Sequence, residues 1–255
     1  MSPLRALTLV WALAGSFVTV APLVPSTGQR PEGTPGGVEQ RLEQAFGLER
    51  SGGLDRARTA YSAVIADFPD DPRGYLRRAW VRLRLLDATG AVGDYDRVAH
   101  LAPEYEPHLW QRGIAHYYAG QFEACTAQFE MHRTVNPDDV ENAVWHFLCA
   151  ARRSDIAGAR AGLLPVGHDR RAPMPQIYEM FAGRMSPSEV HDVVSSDAGR
   201  FYADLYVGLY LEAIGDPDGA RGHLQAAAGA DTGGAMRDVA RIHLGSSTAS
   251  GVRQR

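Results

Sequence analysis

The sequence predicts an all-α fold, a solenoid of stacked helix-turn-helix units with a degenerate middle and a returning C-terminal repeat. Three observations predict it. Ala45, Ala79 and Gly113 recur at a spacing of 34 residues, and Tyr61, Tyr95 and Phe129 keep the same register. Pro69, Pro103 and Pro137 do likewise, and a fourth column, Ala57, Ala91 and Cys125, runs between the small and aromatic ones. A fixed period of this length belongs to helical-pair repeats, in which each unit buries its apolar face only by stacking on its neighbours. The column chemistry agrees: a small residue where two helices touch, an aromatic between them, and a proline that ends the second helix.

The chain begins differently. Over residues 1–26, Arg5 precedes an apolar run from Ala6 to Val24 that only Thr, Gly, Ser and Pro22 interrupt, with small residues such as Ser26 near a cleavage point. This pattern reads as a signal peptide for export. An uncleaved N-terminal anchor is the rival, because the run is nearly long enough to span a bilayer. No Cys follows the run, so lipid attachment there is not expected. Residues 27–37, with Pro, Gly, Ser and Thr around them, read as a flexible linker.

Residues 38–137 carry three repeats. Their helix pairs are expected at Val38–Arg50 with Leu54–Asp67, Pro72–Leu86 with Ala88–Leu101, and Glu106–Ala119 with Phe122–Val135. Gly52-Gly53 and Gly120 close first helices, where a left-handed residue is needed. Asp71-Pro72 and Asn136-Pro137-Asp138 stand at helix starts, where Asp or Asn caps and Pro preorganises the first turn. Over 138–200 the pattern degenerates. Glu141–Arg152 reads as a first helix and Asp155–Leu164 as a shortened second one, followed by a loop over Pro165–Pro175. Gln176–Gly183 reads as a short helix, and Ser186 with Glu189 as a capping box opening the next. The pattern returns over 201–245, where Gly208, Gly215, Ala220 and Leu224 take the small, turn, small and large positions of one more pair. Asp216-Pro217 caps its second helix, Ala235–Leu244 closes the array, and 246–255 reads as a flexible tail.

Composition narrows the chemistry. The chain has 255 residues, 45% hydrophobic content and a net charge of −4, which suits a sizeable core and argues against a nucleic-acid partner. All 26 basic residues are Arg. Without Lys there is no Gly-Lys-Ser/Thr phosphate loop and no Schiff-base catalysis. Cys125 and Cys149 are too few for a disulfide-built scaffold; both fall on expected helices and read as buried thiols or, after export, as one disulfide. Nine His invite a search for metal sites, but no His-Glu-x-x-His or Cys-x-x-Cys spacing occurs. Asp96 and His100 share a helical face, and the bland reading of His100 is a favourable cation at a helix C-terminus. No metal or other cofactor is expected.

The ladder resembles the tetratricopeptide repeat (TPR) superfamily, most clearly in the stretch from Trp110 to Cys125 and in Tyr75–Pro103. Within it, Leu109–Tyr118, the Trp145 helix with its shortened partner, and Phe201–Gly215 resemble the NlpI-like TPR proteins of the bacterial envelope. That resemblance implies an adaptor without catalysis of its own, which binds envelope proteases and cell-wall enzymes. The lipid-accepting Cys of those proteins is absent here, and residues 165–200 match them only loosely.

In such a solenoid the first helix of each pair lines the concave face. Counting from the small column, the first repeat offers Glu39, Leu42, Phe46 and Glu49 to that face, the second Arg73, Leu76, Trp80 and Leu83, and the third Pro107, Trp110, Ile114 and Tyr117. The candidate protein-binding residues are therefore Leu42, Phe46, Leu76, Trp80, Leu83, Trp110, Ile114 and Tyr117, an apolar and aromatic groove. The bland alternative is that later helices or the N-terminal segment fill it. Arg78 and Arg112 precede the small column and are expected to pair within the chain, Arg78 with Asp94. Tyr202, Tyr206 and Tyr210 read as a packed helix stripe. His168, Asp169 and Arg170 form the best remaining polar group, though neighbouring residues seldom converge on one substrate atom. The reading is a non-enzymatic, exported scaffold holding a protein or peptide on its concave face, with a homodimer conceivable and membrane contact only through the N-terminal segment. An enzyme with a site in the 165–200 insert and a purely structural solenoid are the alternatives.

Overall fold

The computed structural model describes residues 36–253, and the signal or anchor assigned to 1–26 lies outside them. Among the described residues the regular structure is helical throughout. Helices α1 (Gly36–Arg50) and α2 (Leu54–Asp67), α3 (Pro72–Arg84) and α4 (Ala88–Leu101), and α5 (Trp110–Tyr118) and α6 (Phe122–Arg133) are the three expected pairs. They are followed by α7 (Val140–Arg153), α8 (Ile156–Ala161), α9 (Met174–Phe181), α10 (Pro187–Asp192), α11 (Asp197–Ala213), α12 (Pro217–Gly229) and α13 (Gly234–Arg253).

The small and aromatic columns meet inside each pair. A Cβ on Gly113 would lie 2.6 Å from Phe129, sixteen residues on, so only glycine permits this approach of α5 to α6. The returning pair uses the same offset: a Cβ on Gly208 would lie 2.7 Å from Leu224. Ala45, Ala79, Tyr61, Tyr95 and Phe129 are all buried. A polar ladder runs beside the small column with the same sixteen-residue reach. Arg78 donates forward to Asp94, at 2.7 and 2.8 Å, and back to Ser62 at 3.0 Å. Arg112 donates forward to Gln128 and back to Asp96, both at 2.8 Å. The expected Arg78–Asp94 pair is thus present within the second repeat, and the Arg78–Ser62 bond ties that repeat to the first. His146, one period after Arg112, reaches back to Glu130 at 3.3 Å.

Caps form at Asp71 and Asp216 as expected, whereas Asn136-Pro137-Asp138 is a turn and Asp139 caps α7 in its place. Asp71, Asp87, Asp139, Asp155 and Asp216 accept backbone N–H groups at helix starts. Ser186 and Glu189 make the predicted capping box. The start of the third first-helix differs. The third first-helix was expected from Glu106, yet Pro103–His108 forms a 3-10 segment and α5 starts at Trp110. The cause is Pro107, which lacks an N–H and biases Glu106 away from helical geometry. Side chains of α6 satisfy the carbonyls this leaves: Gln128 donates to Glu106 O at 2.9 Å, and His132 bonds Pro107 O at 2.8 Å.

The degenerate middle keeps its register longer than the sequence suggests. Ala159, one period after Cys125, is fully buried on α8. Phe147 occupies the small column, where a short six-residue α8 leaves it room, and packs edge-on against Phe181 of α9 with centroids 5.1 Å apart. Helix α9 thus takes the place of the part of the second helix that the short α8 lacks. Cys125 of α6 and Cys149 of α7 are joined as a disulfide, with Cα atoms 5.9 Å apart. Tyr202, Tyr206 and Tyr210 are buried on α11, as the stripe predicts.

The C-terminus departs most from expectation. Instead of ending near Leu244, α13 continues to Arg253. Met236, Val239, Ala240 and Ile242 are buried in the principal core, and the helix packs on α12 and on α3. The last helix of the chain therefore reaches back to the second repeat.

Candidate interaction surface

The first helices α1, α3, α5 and α7 lie side by side, and their contacts can be followed ring by ring. Phe46 of α1 lies beneath the Arg77 guanidinium at 4.4 Å and the Arg50 guanidinium at 5.7 Å. Leu42 packs against a small cluster of Ala45, Ala57, Tyr61 and Val81. Leu76 and Trp80 of α3 are half-buried. Trp80 meets Trp110 of α5 edge-on, with centroids 6.1 Å apart and planes at 67°. Tyr117 meets Trp145 of α7 at 5.6 Å and Phe122 at 5.9 Å. The row is thus an aromatic seam built of two edge-to-face clusters, Trp80 with Trp110 and Tyr117 with Phe122 and Trp145.

Two of the eight residues expected on this surface are not on it. Leu83 and Ile114 have no exposed area and belong to the core. The polar members are also engaged. Glu49 is buried, accepting from the Tyr61 hydroxyl at 3.0 Å and from Arg84 at 3.2 Å. Burial and the Glu49 charge push the Tyr61 hydroxyl well above the usual phenol range. Arg73 donates to Asp71 and reaches Glu39 at 3.2 Å, one period back.

Part of the seam is covered by the chain itself. Asp238 of α13 pairs with Arg84 at 3.2 Å, and Gly245 packs against Leu86 at the end of α3. His243 bonds the Tyr118 hydroxyl at 3.2 Å and Glu212 at 2.8 Å, joining α5, α11 and α13. Helix α13 thus covers α3 and α5 at Arg84, Leu86 and Tyr118, while Leu42, Phe46, Leu76, Trp80 and Trp110 keep exposed surface. Asp238 and His243 carry no repeat register, so nothing in the pattern pointed to them.

The loop of 165–175 resolves into a buried ion network. Asp169 is buried, accepts the Val140 N–H at 3.2 Å, and pairs with Arg171. Arg171 also donates to Asp139 at 2.5 Å and Glu141 at 2.7 Å, and the Tyr206 hydroxyl donates to Glu141 at 2.5 Å. Burial first, and the neighbouring Asp139 second, push the Glu141 carboxyl up to about 7, against the pull of Arg171. His168 and Arg170 are exposed on either side of the buried Asp169. The three residues considered for acid–base work are divided between solvent and a structural network. The two depressions flanking the repeats, of about 430 Å³ beside Leu48 and Thr59 and about 760 Å³ beside Phe122 and Arg152, are open troughs.

No family model matches the chain. A TPR protein of Parabacteroides merdae matches its structure with a TM-score of 0.53 at 15% identity, covering 84% of this chain and 85% of that one. MamA of Desulfovibrio magneticus gives 0.49 at 14% identity over 74% and 92%, and a thermophilic TPR protein of Thermus thermophilus 0.47 at 16% over 84% and 98%. The fold is an all-α helical repeat fold of the TPR kind.

Proposed function

We propose that this protein is a non-enzymatic scaffold of the bacterial cell envelope which holds a protein or peptide along α1, α3 and the exposed part of α5. The observation that carries the reading is the Trp80–Trp110 pair, two half-buried indoles packed edge-to-face on the first helices of consecutive repeats. Large aromatic side chains that cost little entropy to order are the residues on which interfaces concentrate their binding energy. Phe46, flanked by the Arg50 and Arg77 cations, extends this surface and favours a partner segment with apolar anchors and an acidic flank. Envelope placement rests on the N-terminal apolar run and on the resemblance to NlpI-like proteins. The same resemblance suggests an envelope protease or cell-wall enzyme as the partner.

Affinity capture from envelope extract, comparing the wild type with the Trp80→Ala, Trp110→Ala double variant, tests this. The double variant is expected to lose its captured partner while unfolding in one cooperative transition. Capture unchanged from wild type overturns the assignment of this surface. Should the variant not fold, Phe46→Ala, whose ring lies outside the principal core, serves instead and is expected to weaken capture.

A further inference from the structure

The irregular insert and the returning repeat meet at three side chains that the repeat grammar does not account for. His191 comes from α10, Asp204 from α11 and His223 from α12, so three separate helices converge. The His223 Nδ1 lies 2.9 Å from an Asp204 carboxylate oxygen, and the His191 Nε2 lies 3.5 Å from the same atom. The two imidazoles stand nearly parallel, their centroids 4.9 Å apart. All three donor atoms fall within 4.8 Å of one another. Donors bound tetrahedrally at zinc distances of about 2.0–2.1 Å stand roughly 3.3 Å apart. The observed separations bracket that figure.

From this convergence we propose a divalent transition-metal site, with His191 Nε2, His223 Nδ1 and an Asp204 oxygen as ligands and Zn²⁺ as the ion it suits best. Two imidazoles and one carboxylate form a donor set for zinc-like ions rather than for Mg²⁺ or Ca²⁺, which take oxygen ligands. A second observation supports it. The His191 Nε2 is buried and makes no hydrogen bond, its neighbour in the cluster being the Asp204 oxygen at 3.5 Å. The side chains stay 28%, 14% and 33% exposed, which leaves an entry path and a fourth coordination position open to water or to a partner's ligand. An ion here would fasten α10 to the α11–α12 pair. It would thereby clamp the irregular insert onto the returning repeat.

The test uses the full chain stripped of metal by a chelator. Titration with Co²⁺ is expected to give the intense visible absorption of a four-coordinate site, saturating at one equivalent, and Zn²⁺ is expected to displace it. Zn²⁺ is also expected to raise the melting temperature. His191→Ala and His223→Ala should each weaken Zn²⁺ binding at least tenfold and cancel the thermal gain, whereas His168→Ala should change neither. If either alanine variant fails to fold, His191→Gln, which keeps the volume but not the ligand, gives the same reading. A wild type that binds no Co²⁺, or binding that survives both His191→Ala and His223→Ala, overturns the site. Binding of several equivalents that these variants do not alter also overturns it.

Discussion

Leu86 holds a backbone φ of +64°, in the left-handed region where the same turn of the neighbouring repeats uses Gly52 and Gly120. All three positions share the 34-residue register. A side chain costs about 1–2 kcal/mol in this conformation. The leucine is 45% exposed, so its burial returns little, although it touches Gly245 of α13. Leu86→Gly is therefore expected to raise stability by about 1 kcal/mol in chemical denaturation. Lowered stability would mean that the Leu86–Gly245 contact outweighs the backbone cost. At this scale the sequence was legible wherever the period ran cleanly. The turn glycines, the Asp71 and Asp216 caps and the Arg78–Asp94 pair sit where the sequence puts them. Leu83 and Ile114 were misplaced because a helical position alone does not say how far a neighbouring element will cover it.

Among the elements, the 165–175 loop is fastened to α7 and α11 by charge rather than by apolar area. Arg171 binds three carboxylates, and burial raises the Glu141 carboxyl to about 7. The sign of the pH effect follows from that shift. A carboxyl whose folded pKa is raised contributes stability that is complete below its unfolded value of 4.5 and is lost as pH rises through about 7. His116, His132 and His146 act in the opposite sense. Burial lowers their pKa below 6.5, so their contribution is present above that value and lost on acidification. The difference between Glu141→Gln and wild type removes the histidine background. In thermal melts across pH, the variant is expected to gain on wild type steadily from about pH 4.5 to 7 and then level off. A difference that stays flat would show that Glu141 does not titrate in this window. The sequence marked this loop as polar but could not show its wiring, since Asp139, Glu141, Asp169, Arg171 and Tyr206 lie far apart along the chain.

Across the whole molecule, α13 turns an open array into one that folds back on itself. Its buried residues belong to the same core as Trp145 and Phe147, and its polar residues engage Arg84, Tyr118 and Glu212. Repeat arrays whose units touch only neighbours unfold piecemeal when one end is weakened. Here the end is tied to the second repeat. Ile242→Ala, at a site only 2% exposed, is expected to cost about 2–4 kcal/mol. Urea unfolding followed by tryptophan fluorescence and by far-UV circular dichroism should still give coincident transitions. Separate transitions would mean that α13 is an independent cap and not part of the common core.

The sequence by itself determined the helical pairs, their order, their turns and the face on which aromatic residues gather. A 34-residue period repeats the same local contacts, and contacts between near neighbours are written in the pattern. What only the tertiary structure decided are the features joining distant segments: the return of α13 onto α3, the Arg171 network, and the meeting of His191, Asp204 and His223. These depend on how a curved stack brings its ends together. That curvature is the sum of small rotations between units, and no single spacing in the chain records it.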